Sequence, residues 1–96
     1  MNQSPFLKNF YAEHIGCLIE GDRVHNTDMV ETLYVYLKNF FGLKESGKEL
    51  HLHPNTVKYR IDKIQDLLNV NLNDPDHFMN VMMALQIYFY NKKNKL

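Results

Sequence analysis

The eleven residues from His53 to Lys63 carry most of the side chains in this chain that could do chemistry: His53, Asn55, Thr56, Lys58, Tyr59, Arg60 and Lys63. An amide, two hydroxyls and three cationic groups donate and accept hydrogen bonds in defined directions and attract anions. No Gly-rich phosphate loop and no nucleophile paired with a base accompanies them, and a chain this small leaves little room for a substrate cleft. The chemistry on offer is recognition, and no enzyme is expected. His51 and His53 stand two residues apart, but no cysteine or carboxylate set at matching spacing joins them, so no metal and no cofactor are expected.

Recognition by such a cluster needs a rigid element beneath it. Pro54 suits the first position of a helix, where its missing N–H costs nothing. From there to Leu68, Val57, Ile61, Ile64 and Leu68 recur at helical spacing and, at 100° per residue, fall within about 60° of one another. Asn55 and Tyr59 point the opposite way, Thr56 and Lys63 flank them on one side, and Lys58 lies on the other. The helix buries its aliphatic stripe and presents Asn, Thr, Tyr and Lys outward.

Upstream, Leu43 to Leu50 reads as a short helix followed by a tight turn at His51-Leu52-His53. The two helices together fit a helix-turn-helix over about residues 43–64. Gly47 stands where the helices must cross closely. Leu50 and Leu52 supply the apolar residues at the end of the first helix and inside the turn, and Val57 and Ile61 anchor the second. The residue between Leu50 and Leu52 favours positive φ. His51 occupies it and tolerates that region better than most side chains.

The remaining chain is helical in period as well. Ser4 and Pro5 open a first helix carrying Phe6, Leu7, Phe10, Tyr11 and Ile15, with Gly16 and Gly21-Asp22 expected to punctuate a connection. Asn26, Thr27 or Asp28 caps a second helix, whose apolar face runs from Met29, Val30, Leu33, Tyr34 and Leu37 to Phe40 and Phe41, with Gly42 ending it. After a loop at 69–73, Asp74-Pro75 opens a last helix to about Asn91. Phe78, Val81, Met82, Leu85, Tyr88 and Phe89 line one side of it. Met83, Ile87 and Tyr90 make the other side apolar too, a surface available to a homodimer. Cys17 reads as a small buried hydrophobe. The expected fold is all-α, a compact bundle of about five helices in one domain spanning residues 1–96.

Composition is compatible with this and narrows the partners. At 45% hydrophobic and 23% charged the chain is an ordinary globular sequence. No apolar run approaches the ~20 residues of a membrane span. The N-terminal residues lack the features of a secretory signal and a single cysteine excludes an internal disulfide, so a cytoplasmic location is expected. Net charge is zero, yet residues 1–50 carry five basic and seven acidic side chains while residues 51–96 carry six and four. The basic excess falls on the half that holds the cluster. Double-stranded DNA is the partner this pattern suits: Asn pairs with an adenine edge, a Thr methyl meets the thymine methyl, and base contacts come from the N-terminal half of a recognition helix. Lys58, Arg60 and Lys63 would hold phosphates.

The string His53-Pro54-Asn55-Thr56-Val57-Lys58-Tyr59-Arg60-Ile61 resembles the C-terminal helix-turn-helix domain of PucR/CdaR-type transcriptional regulators, the purine-catabolism and sugar-diacid regulators. The family pattern is His, any residue, Asn-Thr-Val, any residue, Tyr-Arg-Leu/Ile. The likeness extends upstream through Glu31-Thr32-Leu33 and Leu37-Lys38-Asn39 and downstream through Leu72-Asn73-Asp74-Pro75, covering roughly residues 17–90. It implies a five-helix domain with a Fis-like helix-turn-helix, sequence-specific operator binding with helix 54–68 in the major groove, a pseudo-palindromic site, and an effector that binds a region this chain lacks. Two positions depart from the pattern. Gly47 replaces the usual Ala, loosening its helix by ~1 kcal/mol. Asp62 stands where a basic residue is common, putting negative charge near the DNA face and lowering the expected affinity.

Several side chains have a second reading. His53 either contacts DNA or caps its helix. Asn55 and Thr56 either read bases or stabilise the first turn. Arg60, beside the buried stripe, either meets phosphate or bridges to an acid on a neighbouring helix. For the whole domain, the alternative is a helical protein-interaction module with a vestigial helix-turn-helix, consistent with zero net charge and with Asp62 and Asp66 on the exposed face.

Overall fold

The computed structural model describes residues 5–94, which form five helices: α1 (Pro5–His25), α2 (Met29–Lys38), α3 (Leu43–Leu50), α4 (Pro54–Leu68) and α5 (Pro75–Lys93). The expected Ser4 cap lies outside the described residues. α2 is the centre of the bundle and touches all four other helices. Its Val30, Leu33 and Leu37 join Ile15 and Leu18 of α1, Val57, Ile61 and Ile64 of α4, and Val81, Ala84 and Leu85 of α5 in one core. Burial of those side chains is worth about 1.5–3 kcal/mol each before entropy is counted, which makes this core the main source of stability. No described helix is long and apolar enough to cross a membrane.

The first helix departs from expectation. No connection interrupts it at Gly16 or Gly21; α1 continues to His25. Each glycine weakens a helix by about 1 kcal/mol, but Ile15 and Leu18 are fully buried and Tyr11 sets its ring edge-on to Tyr88 of α5 at 5.4 Å. The reason for the extra length is Asp22. Its carboxylate accepts the Met29 and Val30 amides at 2.8 and 2.9 Å and the Thr27 hydroxyl at 2.6 Å, so the last turn of α1 caps the first turn of α2. Asn26 reverses the chain between them in the left-handed region. Asp28 precedes α2 but its side chain makes no cap bond.

A second correction concerns Phe40 and Phe41. They do not extend α2, which stops at Lys38; both residues adopt left-handed backbone, φ 55° and 67°. Phe41 thereby reaches the rings of Tyr36 and Phe78 at 5.3 and 5.9 Å, while Phe40 is left 91% exposed. Gly42 begins the next element, as the residue before α3, rather than ending the previous one. Cys17 is the third correction: it is exposed, because its side of α1 faces the groove beside α4 and not the core.

The last two helices start as their sequences require. α4 has His53 before it and Pro54 at its first position. α5 has Asp74, whose carboxylate accepts the Asp76 and His77 amides at 2.9 and 3.3 Å. The loop between them is held by Gln65, which accepts the Leu72 amide at 2.8 Å, and by the His77 ring, which accepts the Asn71 amide at 2.9 Å.

Candidate nucleic-acid interface

α3, the turn and α4 form the expected helix-turn-helix. His51 ends α3 at φ 60° and ψ 42°, the left-handed conformation the motif needs at that place. The Leu52 amide then returns to the Gly47 carbonyl at 2.8 Å. Gly47 is required by its surroundings: a Cβ there would sit 2.5 Å from the Leu52 carbonyl oxygen. This fixes the angle at which α4 leaves the turn. Val57, Ile61 and Ile64 then bury their stripe against the core, and Leu68 is half-buried at its end.

The outward face of α4 holds the candidate reading groups. Asn55 is exposed and Tyr59 is 66% exposed. Thr56, Tyr59 and Lys63 line one groove with Cys17, Gly21 and His25 of α1, so α1 forms one bank of that groove. His53 caps the helix: its Nδ1 accepts the Asn55 amide at 3.0 Å, and its carbonyl accepts the Thr56 and Val57 amides at 2.9 and 3.1 Å. The capping half of its earlier reading therefore holds in the structure.

The cations divide into two groups. Lys58 pairs with Asp62 one turn on at 3.0 Å, both side chains being more than half exposed. Such a pair contributes about 0.3–0.5 kcal/mol and is easily traded for another anion. Arg60 is turned inward. Its Nη1 donates to Asp28 at 3.0 Å and to the Thr32 hydroxyl oxygen at 3.2 Å, with its side chain 28% exposed. Lys63 has no ion pair among the described residues.

One group of residues escaped the sequence reading. Lys44, Lys48 and His51 line a shared concavity with Gly47, Leu52 and Pro54, placing three basic-type side chains beside the N-terminus of α4. Neither Lys44 nor Lys48 is ion-paired among the described residues. The signal was present: positions 44, 48 and 51 are spaced i, i+4, i+7 and so share one helix face. The N-terminus of α4 adds the positive end of a helix dipole, although its first amides are already taken by His53.

A first helix with a basic face, a glycine-tight left-handed turn, and a second helix with a polar outer face define a helix-turn-helix DNA-binding domain of transcriptional regulators. The chain belongs to the PucR C-terminal helix-turn-helix domain family, which matches residues 29–87. That span starts with α2 and ends within α5, leaving α1 outside it. The purine catabolism regulatory protein of Bacillus subtilis (strain 168) is 36% identical over 81 residues, covering 84% of this chain and 15% of its own length. The proline-responsive transcriptional activator PutR of the same organism is 31% identical over 71 residues, covering 70% of this chain and 17% of its own. The DNA-binding transcriptional activator AdeR, also from that organism, is 23% identical over 87 residues, covering 91% and 21%. The chain thus spans less than a quarter of the length of these relatives. No solved structure matches it. The family is one of DNA-binding domains and not of enzymes.

Proposed function

We propose that this domain binds operator DNA as part of a cytoplasmic transcriptional regulator, with α4 in the major groove. Asn55, Thr56 and Tyr59 read base edges. Lys58 and Lys63 hold phosphates along α4, and His53 seats the first turn against the backbone while capping it. Lys44, Lys48 and His51 grip the phosphates on the α3 side, where the first helix of such a motif crosses the backbone. The observation that carries this reading is the division of α4. Val57, Ile61 and Ile64 are buried, while Asn55 and Tyr59 stand exposed, their side chains making no hydrogen bond among the described residues. A solvated helix face without a partner would not need a glycine-tight turn to fix its exit angle.

The operator is a pseudo-palindrome bound by two copies, since paired helix-turn-helix units address half-sites about one helical turn apart. The exposed Met79, Met83 and Tyr90 of α5 are the surface on this domain best suited to pairing. The test is selection of binding sites from random duplex DNA at fixed salt, with the wild type and an Asn55→Ala/Tyr59→Ala variant in parallel. The wild type enriches a motif and the variant, still folded by circular dichroism, loses it. Failure of the wild type to enrich any motif at low salt, alone and as a tethered dimer, overturns the reading.

A further inference from the structure

We propose that Arg60 is a positioning residue that sets the angle of α4 by gripping the start of α2, and that it is not a phosphate ligand. The proposal rests on the groove reading of α4 given above. Apolar contacts at Val57, Ile61 and Ile64 hold α4 against the core but are non-directional. The turn at Gly47 fixes where α4 starts, and rotation of the helix about its own axis is the freedom these contacts restrain least. Reading a base edge requires the side chain within about 0.5 Å of its place. A directional clamp on the same two turns that carry Asn55 and Tyr59 supplies what the aliphatic stripe lacks.

Arg60 provides that clamp through two bonds from one nitrogen, to the Asp28 carboxylate and to Thr32 Oγ1. Both acceptors are prepared for it. Thr32 is fully buried, and its hydroxyl donates to the Asp28 carbonyl at 2.9 Å, which turns its lone pairs toward the guanidinium. Asp28 sits where an aspartate ordinarily caps its own helix, but the amides of Met29 and Val30 are already taken by Asp22. The Asp28 carboxylate is thereby released for Arg60. Asp22, Asp28, Thr32 and Arg60 join α1, α2 and α4 at a single polar junction, on the α1 side of the reading face. A guanidinium already neutralised by a carboxylate also releases few counterions on meeting DNA.

Asp28 gives the two possible roles opposite signs. It is an acid, 62% exposed, close to a DNA-binding face. If it merely masks a phosphate-binding Arg60, Asp28→Asn frees the cation, and affinity and its salt dependence both rise. If the pair positions α4, Asp28→Asn weakens binding to the selected motif by about tenfold, roughly one base contact, while binding to random duplex is unchanged. The same loss is expected of Arg60→Gln. Arg60→Lys keeps the charge but not the planar fork, and it behaves like Arg60→Gln. The double variant Asp28→Asn/Arg60→Gln is no worse than either single one.

The experiment is a salt titration of affinity for the selected motif and for random duplex, using the four proteins and the wild type well below their melting temperatures. Loss of the specific-to-random ratio at an unchanged salt slope supports the proposal. A slope that falls by about one unit in Arg60→Gln, or tighter binding by Asp28→Asn, assigns Arg60 to phosphate and overturns it. Melting temperatures that fall while the ratio stays intact reduce the junction to fold support and overturn it as well. Failure of the wild type to select a motif brings down the groove reading first, and the positioning role with it. A wild type that selects a motif which Asp28→Asn binds equally well removes the positioning role alone.

Discussion

Two tight connections flank α3, and both pass through left-handed backbone without using a glycine there. The turn after α3 has one such residue, His51. The corner before it has two, Phe40 and Phe41. At the turn the conformation is enforced by close backbone packing, with the Leu52 amide on the Gly47 carbonyl and the Leu52 carbonyl against the space where a Cβ would be. At the corner three ordinary backbone bonds, from the Phe40, Phe41 and Gly42 amides, close the chain, and side chains add to them. Phe41 is drawn to Tyr36 and Phe78, and Glu49 of α3 accepts from Lys38 and Asn39 at 3.0 and 3.1 Å. Phe40 shares the strain of its neighbour and recovers almost none of it in burial. The backbone approach is tighter at the turn, where a Cβ on Gly47 would lie 2.5 Å from a backbone oxygen, than at the corner, where one on Gly42 would lie 3.1 Å from the nearest, which fits a motif whose α3–α4 angle must be reproduced and whose α2–α3 corner only has to hold.

The largest effect should come from breaking the turn. Gly47→Ala gains about 1 kcal/mol in helix propensity, but the new methyl must push the Leu52 carbonyl away by several tenths of an ångström. Overpacking against backbone costs typically 1–3 kcal/mol. The net expectation is a loss of stability by chemical denaturation and a larger loss of motif binding, since α4 is re-aimed. Stability equal to or above the wild type would show that the turn gives freely and that the comparison is misdrawn.

The corner predicts the opposite sign. A left-handed non-glycine residue costs about 1–2 kcal/mol, and Phe40 is nearly all exposed. Phe40→Gly should therefore stabilise the domain by about 1 kcal/mol, a rise of several degrees in Tm. Phe41→Gly relieves the same strain but abandons the contacts with Tyr36 and Phe78, and should destabilise. A Phe40→Gly protein that melts lower than the wild type would mean that the exposed ring is held by contacts outside the local chain. His51→Gly falls between these cases. The strain relieved is about 0.5–1 kcal/mol, while the imidazole is lost from the α3 basic face, so stability rises slightly and DNA affinity falls.

The same contrast explains what could be read from the sequence. The turn and α4 were legible because every determinant is local: Leu50, Gly47, Leu52, Pro54 and the Val57/Ile61 spacing lie within fifteen residues. The five-helix bundle and the family followed from the same stretch and its flanks. The corner was misread because Phe40 and Phe41 continue the helical spacing of α2, and the pull of Phe78 comes from a helix 37 residues away. The continuity of α1 was hidden for a similar reason. The cost of Gly16 and Gly21 is visible locally, while the use of Asp22 lies seven and eight residues on. Arg60 left two readings open until its partners, 32 and 28 residues upstream, were placed. Lys44 and Lys48 lie in the half of the chain that is net acidic, so a count by halves hides the one face that they share with His51.

The smallest effect separates the two connections by pH. Hydrogen bonds from Lys38 and then Asn39 hold the Glu49 carboxyl below its ordinary value of 4.5, against a smaller opposing effect of desolvation. A carboxylate whose pKa is depressed by folding contributes stability above its unfolded pKa and loses that contribution as pH falls through the folded value. Glu49 is well exposed, so solvent and salt screen most of it. The expectation is local: on going from pH 7 to below the depressed value, amide protection factors at Phe40, Phe41 and Gly42 fall relative to that of Leu52. The first three amides bond to carbonyls of the corner and the last to Gly47, with no titrating group in its bond. Glu49→Gln should remove the pH dependence of the difference and leave the Leu52 amide unaffected. If the turn amide loses protection in parallel with the corner amides, the two connections open as one unit, and the tightness of the Gly47 contact does not isolate the reading helix from the rest of α3.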